Sequence, residues 1–270
     1  MISQQDKCLS LKALHQSTET WVIANPWDAG SARILEGLGF KGLATSSAAF
    51  ANTLGRVDGQ VTLEEKLAHC SQLVSVTNIP ISADFENGFA DDPVEMSNNI
   101  TKMIATGIAG LSIEDFAREG EVIYDFNQSV ERIKAASEAI KVSGLPIQLT
   151  ARAENLLRGV NDLDDTIKRL QAYSAAGADV LYAPGLSSLE QVETVVIAID
   201  KPLNVLGVFL PNAQLAEYQT LGVNRISLGS ALGNAVLGPL IKYGKEMLTD
   251  GGFSWYGEMA DSSELSILLG

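Results

Sequence analysis

Charged side chains stand where short apolar segments of the chain end. Three consecutive segments close in this way, the first with Asp84 and Glu86, the second with Glu114 and Asp115, and the third with Arg152. Carboxylates brought together repel one another unless a divalent metal neutralises them, and oxygen ligands favour Mg2+ or Mn2+ over zinc. A guanidinium beside them offers a fork of donors to a carboxylate or phosphonate. These residue types predict a metal and an anion bound at one place.

Segments of strand length alternate with amphipathic segments of helix length along the chain. Strands are predicted at 21–25, 42–47, 80–85, 110–115, 147–152, 179–184, 202–207 and 225–230. Helices are predicted near 30–38, 62–76, 93–106, 128–142, 162–175, 187–198, 212–220 and 231–248. Strands separated by helices pair in parallel through right-handed crossovers, and eight such units fit a closed barrel. We therefore predict an α/β fold, a single (β/α)8 barrel of the TIM type over 1–270, whose mouth carries the charged strand ends.

The segment 249–270 lies beyond the last predicted barrel helix and carries apolar side chains, among them Phe253, Trp255 and Ile267. An apolar tail past a complete barrel needs a cover. We predict a C-terminal helical extension that packs on its own barrel or on a partner subunit.

The composition bears on partners and compartment. The net charge of −14 argues against nucleic acid and anionic membranes as partners. Cys8 and Cys70 are the only cysteines, which is neither a disulfide framework nor a zinc pattern. No apolar stretch approaches the ~20 residues that cross a bilayer, and the amino-terminal residues lack a signal-peptide pattern. We expect a cytoplasmic protein.

Several residues leave alternatives open. Any one acid at a strand end also fits a helix cap or a loop, whereas three adjacent strand ends together favour a site. Asp115 and Glu154 are expected to support the site or lie on the surface. His15 and His69 are expected to be structural or exposed, which argues against a histidine triad. The glycine-rich segment 227–238 fits either phosphate binding or close helix packing.

Lysines at strand ends would support Schiff-base chemistry. Lys41 and Lys201 precede strands, at the wrong end, and most other lysines fall in helices, so that chemistry is disfavoured. Arg118 and Glu119 either close over the mouth or lie in an exposed loop, and the exposed loop is favoured.

The sequence resembles the isocitrate lyase/phosphoenolpyruvate mutase superfamily, in particular its short PrpB-like members, from about residue 10 to the end. The matching stretches are NPWDAGSARILEGLGFKGLATSSAAFANTLGRVDG, ADFENGF, GLSIED, TARAEN and NRISLGSAL. Members of that family are eight-stranded barrels that bind Mg2+ and a small 2-oxo acid and exchange their last helix between subunits. The resemblance therefore implies a homodimer or homotetramer with a swapped helix.

The resemblance also implies roles for individual residues. The metal acids are Asp84, Glu86 and Glu114, with Asp58 as a further acid. The substrate carboxylate is held by the hydroxyl of Ser46 and the backbone N–H groups of Ser47 and Ala48. Arg152 holds the far end of the substrate, and Asn204 is a further pocket residue. Ser46, Asp58 and Arg152 are the predicted catalytic residues.

Two motifs of the family are missing. Its lyases carry Lys-Lys-Cys-Gly-His after the fourth strand, where 116–127 here reads FAREGEVIYDFN, and the mutase motif Lys-Thr-Asn-Ser is absent as well. Isocitrate lyase, methylisocitrate lyase and phosphonate mutase activities are therefore disfavoured. We expect a Mg2+-dependent carbon–carbon lyase, with Mn2+ as the alternative metal. It would cleave the bond beside the carbonyl of a small 2-oxo acid through a metal-stabilised pyruvate enolate, as an oxaloacetate decarboxylase does.

Three alternatives to this function stay open. The first is a hydrolase of the phosphonopyruvate type, which cleaves a C–P bond. The second is a class II aldolase acting on pyruvate. The third is a barrel that binds an oxo acid without turning it over.

Overall fold

Parallel strands of the computed structural model, which describes residues 2–249 and 251–270, close into one barrel. In chain order the strands are β1 (Trp21–Ile23), β2 (Leu43–Ala44), β3 (Ile81–Asp84), β4 (Gly110–Glu114), β5 (Phe116–Ala117), β6 (Val122–Ile123), β7 (Gln148–Arg152), β8 (Val180–Tyr182), β9 (Leu203–Leu206) and β10 (Arg225–Ser227). Within the described residues, eight strands pair in the order β1-β10-β9-β8-β7-β4-β3-β2, and β5 and β6 form a separate antiparallel hairpin. A parallel bridge between Ala24 and Leu43 closes the ring. The predicted (β/α)8 fold is confirmed; of its bounds 1–270, positions 1 and 250 lie outside the described residues.

Helices cover the outside of this barrel. They are α1 (Gln4–Gln16), α2 (Ala29–Gly37), α3 (Ser47–Thr53), α4 (Leu63–Val76), α5 (Pro93–Ile104), α6 (Phe126–Ser143), α7 (Leu163–Ala175), α8 (Leu189–Ala198), α9 (Leu215–Leu221), α10 (Ala231–Thr249) and α11 (Ser262–Leu269). Side-chain caps start most of them, for example Thr62, which accepts from the N–H of Glu65 in a capping box. All eight predicted barrel helices are present, and α11 lies within the predicted C-terminal helical extension, whereas α1, α3 and the hairpin were not predicted.

Helix α1 covers the amino-terminal end of the barrel. Leu11 packs so closely on Gly110 that a Cβ there would lie 2.8 Å from Leu11 Cδ2. His15 reaches further in and lies 2.9 Å from Arg225 Nη1 and 3.4 Å from Gln148 Oε1. Helix α1 therefore closes the amino-terminal end of the barrel. Solvent reaches the barrel interior from the carboxyl-terminal end, where barrel enzymes have their active sites.

The carboxyl-terminal segment leaves apolar surface uncovered. Helix α11 packs against α2 of its own chain, with Leu268 lying against Gly37. Leu240 and Ile241 on α10 are 64% and 58% exposed, and Phe253 is 65% exposed. Exchange of this segment between subunits stays a prediction. No helix in the described ranges is both long and apolar enough to span a bilayer.

Two buried histidines make stability depend on pH. His15 and His69 are each 3% exposed. Burial, reinforced by Arg225 near His15 and by Lys66 near His69, lowers each pKa to about 3. The pKa of histidine in an unfolded chain is about 6.5. As the pH falls below that value, the two histidines take up protons in the unfolded chain but stay neutral in the folded chain. Folding stability is then lost at about 1.4 kcal/mol per pH unit for each histidine.

Replacing His69 with glutamine is expected to flatten this pH dependence. His69 donates from Nε2 to the carbonyl of Trp27 at 3.0 Å, a bond the glutamine amide can keep. The slope of unfolding free energy between about pH 6.5 and 4.5 should fall by about 1.4 kcal/mol per unit, as measured by urea unfolding at several pH values. The comparison uses slopes, so a constant loss of stability does not affect it. An unchanged slope would show that His69 is protonated in the folded protein.

Candidate active site

A polar cavity of about 450 Å3, counting its open mouth, occupies the barrel interior. Barrels of this type usually fill their interior with bulky branched side chains. Here small and polar side chains take those positions: Ser82, Ser112, Thr150, Asn204 and Ser227 line the cavity. The cavity exists because the inward positions of the strands lack bulk.

Asp84 ends β3 and faces this cavity. Its Oδ2 accepts the backbone N–H of Ser47 at 2.9 Å, and its own N–H donates to the hydroxyl of Thr45 at 2.8 Å. Its Oδ1 is buried without a hydrogen-bond donor, and the nearest cation, Nη1 of Arg152, is 3.7 Å away. One oxygen of Asp84 is thus fixed by the protein and the other is left for a ligand.

Glu86 reaches the same mouth through a turn. Its φ is +53°, a left-handed conformation that costs a non-glycine residue about 1–2 kcal/mol. The carbonyl of Glu86 accepts from the N–H of Glu114 at 2.9 Å. Strand alternation does not place Glu86 on the same face as Asp84, because β3 ends at Asp84. The strained turn brings Glu86 to the site instead.

Arg118, on the loop between β5 and β6, lies over Glu86. Its guanidinium is paired with the Glu86 carboxylate, donates to the carbonyl of Gly59 at 3.0 Å and stacks 5.1 Å from the ring of Phe89. The expectation of an exposed loop is right for Glu119 and wrong for Arg118, whose side chain is only 22% exposed. Arg118 therefore links the loop that contains Gly59 to Glu86 at the mouth of the cavity, and its side chain covers that mouth.

Arg152 ends β7 at the centre of three carboxylates. Its Nε donates to Glu154, and its Nη1 lies 3.3 Å from Oε2 of Glu114 and 3.7 Å from Oδ1 of Asp84. Arg158 holds the other oxygen of Glu154 at 2.9 Å. The structure therefore brings together Asp84, Glu114 and Arg152 as predicted, and Glu154 supports Arg152.

Asp115 plays a supporting part. It is buried and accepts from Arg169 at 3.0 Å, from the Tyr173 hydroxyl at 2.6 Å and from the N–H of Glu154 at 2.8 Å. These bonds tie the ends of β4 and β7 to α7. Asp115 thus holds two strand ends in register.

The pKa values of two carboxyl groups of the site, Glu114 and Asp84, are shifted in opposite directions. Burial raises the pKa of Glu114 well above its ordinary value, and the neighbouring Glu154 and Asp84 add to this while Arg152 opposes it. Burial also acts to raise the pKa of Asp84, but Lys66, Arg152 and the Ser47 N–H outweigh it and lower that pKa. In the absence of a metal, Asp84 is therefore the ionised member and Glu114 the member that holds a proton most readily.

The donor set fits a hard cation that keeps part of its water. Oδ1 of Asp84 and Oε1 of Glu86 are both buried, and neither has a hydrogen-bond donor among the residues that the structure describes. Carboxylate oxygens are the ligands that Mg2+ prefers. Across the described residues, no three His, Cys, Asp or Glu side chains are grouped closely enough to hold a metal by themselves. A cation here would therefore need water or substrate oxygens to complete its shell.

The predicted carboxylate loop caps a short helix. Ser46 is the N-cap of α3 and accepts the N–H of Ala49 at 3.3 Å. Ser47 gives its N–H to Asp84, so that donor is already used, whereas Ala48 follows in the first turn. Asp58 is exposed in the loop that Arg118 touches through Gly59. The structure therefore brings Ser46 to the cavity, whereas Asp58 is exposed and is not among the described residues that line it.

Lys66 was missed by the sequence reasoning. It is fully buried on α4, and its ammonium donates to the Thr45 hydroxyl at 3.0 Å, the same hydroxyl that receives the Asp84 N–H. The available signal is its spacing, since Lys66 lies three, four and seven residues before His69, Cys70 and Leu73, the buried stripe of α4. A lysine on the apolar face of a helix points to an internal partner, which here is the Asp84 region.

The glycine-rich segment after β10 is used for packing. The N–H groups of Leu228 and Gly229 both donate to Oδ1 of Asn25, at 2.9 and 3.0 Å. A Cβ at Gly233 would lie 3.3 Å from Ala49. These donors are already used by the protein, so the structure supports the packing alternative over the phosphate-binding one.

Replacing Gly88 with alanine is expected to lower the stability of the fold. Gly88 has φ +76°, and a Cβ there would collide with Met96. Strain and overpacking together should lower the free energy of unfolding by about 2–4 kcal/mol, measured by urea unfolding. Gly144→Ala is the matched control, because Gly144 has φ +71° with nothing within 4 Å of an added Cβ. An equal loss of unfolding free energy in both variants would mean that Met96 moves aside without destabilising the protein.

Comparisons with known proteins place this geometry in context. The family described as phosphoenolpyruvate phosphomutase matches residues 11–248. Oxaloacetate decarboxylase 1 of Pseudomonas putida (strain W619) is 29% identical over 238 residues, which are 85% of this chain and 80% of that protein. A crystal structure from Burkholderia cenocepacia J2315, described no further than as a lyase or mutase, is 41% identical with a TM-score of 0.94 and covers 97% of this chain and 96% of its own.

A more distant likeness concerns the fold alone. Phosphonopyruvate hydrolase, solved with oxalate and Mg2+, is 21% identical with a TM-score of 0.86, covering 97% of this chain and 94% of its own. The barrel described above is therefore shared well beyond the range of close sequence similarity.

Proposed function

Because this chain belongs to the phosphoenolpyruvate phosphomutase family, we propose that it is a Mg2+-dependent carbon–carbon lyase that cleaves a small 2-oxo dicarboxylic acid, with oxaloacetate decarboxylation as the reaction. The observation that carries the proposal is the pair of buried, donor-free oxygens of Asp84 and Glu86 at the mouth of a polar cavity. The likeness to an oxaloacetate decarboxylase and the missing cysteine of the lyase motif support the choice of substrate.

We propose that Asp84, Glu86, Glu114 and Asp58 would hold the metal, with water or substrate oxygens completing its shell. When bound, Mg2+ supplies Lewis-acid polarisation of the 2-oxo group, which is worth several kcal/mol in such reactions. The buried carboxylate oxygens of Asp84 and Glu86 support this choice of metal, because Mg2+ prefers oxygen ligands. Mn2+ is the alternative, because it accepts the same oxygen donors.

The remaining residues are proposed to hold the substrate. The Ser46 hydroxyl keeps its proton to donate while it accepts from Ala49, and with the Ala48 N–H it would bind the carboxylate next to the carbonyl. Arg152 would orient the departing carboxylate by hydrogen bonds. Its positive charge is already offset by three neighbouring carboxylates. Cleavage of the C3–C4 bond releases CO2 and leaves its electron pair on C3, where a proton then forms the methyl group of pyruvate.

A substrate screen tests the proposal. The protein with Mg2+ is incubated with oxaloacetate, phosphonopyruvate and methylisocitrate, and pyruvate, CO2 and phosphate are measured. Oxaloacetate should be cleaved well above the rate seen with Mg2+ alone, and EDTA should abolish the difference. Release of phosphate from phosphonopyruvate as the faster reaction would replace the decarboxylase with the hydrolase alternative. Exchange of pyruvate methyl protons together with carbon–carbon bond formation to an added aldehyde acceptor would favour the aldolase. Mg2+-dependent oxalate binding without turnover would favour a binding protein.

The exposed apolar residues of α10 and the carboxyl-terminal segment are proposed to pack on a second copy of this chain. A surface of this kind is costly to leave in water, and Leu240 and Ile241 are two of its exposed side chains. The expected assembly is a homodimer or homotetramer with exchanged helices. Light scattering after gel filtration should give that mass for the native chain and a smaller mass for Leu240→Glu. A monomeric native chain would refute the assembly.

A further inference from the structure

The floor of the cavity holds a buried arginine whose partners are all neutral. Arg225 begins β10, is 5% exposed and lines the cavity. Its Nε donates to Oδ1 of Asn204 at 2.7 Å, its Nη2 to the Thr150 hydroxyl at 3.2 Å, and its Nη1 lies 2.9 Å from Nε2 of His15. These bonds use three of its five N–H groups. The remaining two have no partner among the hydrogen bonds of the described residues.

No carboxylate of the described residues pairs with Arg225. The charged groups of the mouth are engaged with one another, through Arg152, Arg158 and Arg118. His15 is neutral because its pKa is lowered to about 3, and the phenol of Tyr182 is neutral because burial raises its pKa to about 12. Burial lowers the pKa of Arg225 to about 10, so the guanidinium keeps its charge at neutral pH.

An uncompensated buried guanidinium is costly. Arginine is rarely buried without an acidic partner, and a buried unpaired charge costs several kcal/mol. The Arg225 guanidinium nevertheless lies at the inner end of the cavity. Three hydrogen-bonding side chains, Asn204, Thr150 and His15, fix its orientation there. The missing partner is therefore an anion that enters the cavity.

Arg225 also sets the orientation of Asn204. Only the amide oxygen can accept from the guanidinium, so the Asn204 amide nitrogen is turned to Ser227, where it donates at 2.9 Å. Both Asn204 and Ser227 line the cavity. The floor thus presents a cation and fixed polar groups, a setting suited to one carboxylate.

We propose that Arg225 supplies the cation for the carboxylate that the substrate retains after cleavage, the same carboxylate that Ser46 and the Ala48 N–H are proposed to bind, so that the departing group faces the mouth. Ser46 and Arg225 line one cavity. The proposal rests on the proposed function for the identity of the substrate. Its chemical reason is that the departing carboxylate loses its charge as CO2 forms. A free cation beside that group would stabilise the reactant more than the transition state and slow the reaction. The retained carboxylate keeps its charge throughout, so a cation there binds reactant and product alike. The mouth arginine, Arg152, is already neutralised by its carboxylates, which suits the departing end.

The test compares pyruvate with pyruvamide, its uncharged analogue, as ligands of the Mg2+-loaded protein by calorimetry. The native protein should prefer pyruvate, and Arg225→Gln should reduce that preference about 10- to 100-fold, the size of one hydrogen bond to a charged group. Arg225→Lys should recover most of the preference because it keeps the charge. Arg33→Gln, which removes an arginine outside the cavity, should leave it unchanged.

Other outcomes would overturn the proposal. Equal weakening of both ligands by Arg225→Gln would mean a purely structural role, and an unchanged preference would mean that the carboxylate binds elsewhere. If oxaloacetate binding falls while pyruvate binding does not, Arg225 holds the departing end instead. Pyruvate does not react, so the comparison stands even if the protein cleaves no oxo acid. Should Arg225→Gln fail to fold, a crystal of the native protein with Mg2+ and pyruvate decides: a carboxylate out of hydrogen-bonding reach of Arg225 would refute the proposal.

Discussion

Asp84→Asn is expected to lower the Mg2+-dependent turnover of oxaloacetate by about 10³-fold. The amide keeps the size of the carboxylate and can still accept the Ser47 N–H at its Oδ position. The variant loses the negative charge of the Asp84 carboxylate, whose Oδ1 has no hydrogen-bond donor among the described residues. If the metal contributes about 4 kcal/mol to the transition state, its loss corresponds to about three powers of ten. Turnover is measured as pyruvate formed above the background with Mg2+ alone.

A direct binding measurement separates metal loss from other damage. Mn2+ binding, followed by calorimetry, should weaken in Asp84→Asn in parallel with activity. Asp200→Asn is the matched control, because Asp200 is exposed and, among the described residues, its carboxylate accepts only from the Ser174 hydroxyl, at 2.6 Å. Turnover within about threefold of the native enzyme in Asp84→Asn, with Mn2+ binding intact, would contradict the metal assignment.

Arg152→Gln is expected to have the largest effect on stability. Removing this guanidinium leaves Asp84, Glu114 and Glu154 without their shared partner, and breaking a buried ion pair by deleting one side costs about 3–5 kcal/mol. The loss should appear in urea unfolding without metal. Mg2+ should stabilise the variant more than it stabilises the native protein, because the cation then offsets carboxylates that have lost the charge of Arg152.

A double variant tests the cause. Adding Glu154→Gln to Arg152→Gln removes the fully buried carboxylate that pairs with Arg152. The double variant should therefore lose less unfolding free energy than the sum of the losses in the two single variants. Arg56→Gln is the control, because Arg56 pairs with Glu65 on the surface at 2.8 Å with both side chains over 30% exposed. It should cost less than about 1 kcal/mol. Additive losses in the double variant would show that Arg152 acts through packing alone.

The alternation of apolar segments with amphipathic ones was enough to predict the barrel. Strand and helix periods are local properties of the chain, and parallel strands joined by helices have few ways to close. The charged strand ends follow from the same logic, since the carboxyl ends of parallel strands meet at one end of the barrel. Asp84, Glu114 and Arg152 are therefore neighbours that the sequence could predict.

The sequence by itself thus determined the fold class and the acids and arginine of the mouth, while only the tertiary structure decided which charges are paired. Glu86 depends on a left-handed turn, Arg118 on a hairpin that folds back, Lys66 on the burial of one helix face, and Arg225 on the closure of β10 against β1 and β9. The physical reason is that the free energy of a charge is set by the groups that surround it after burial, and those groups come from distant parts of the chain.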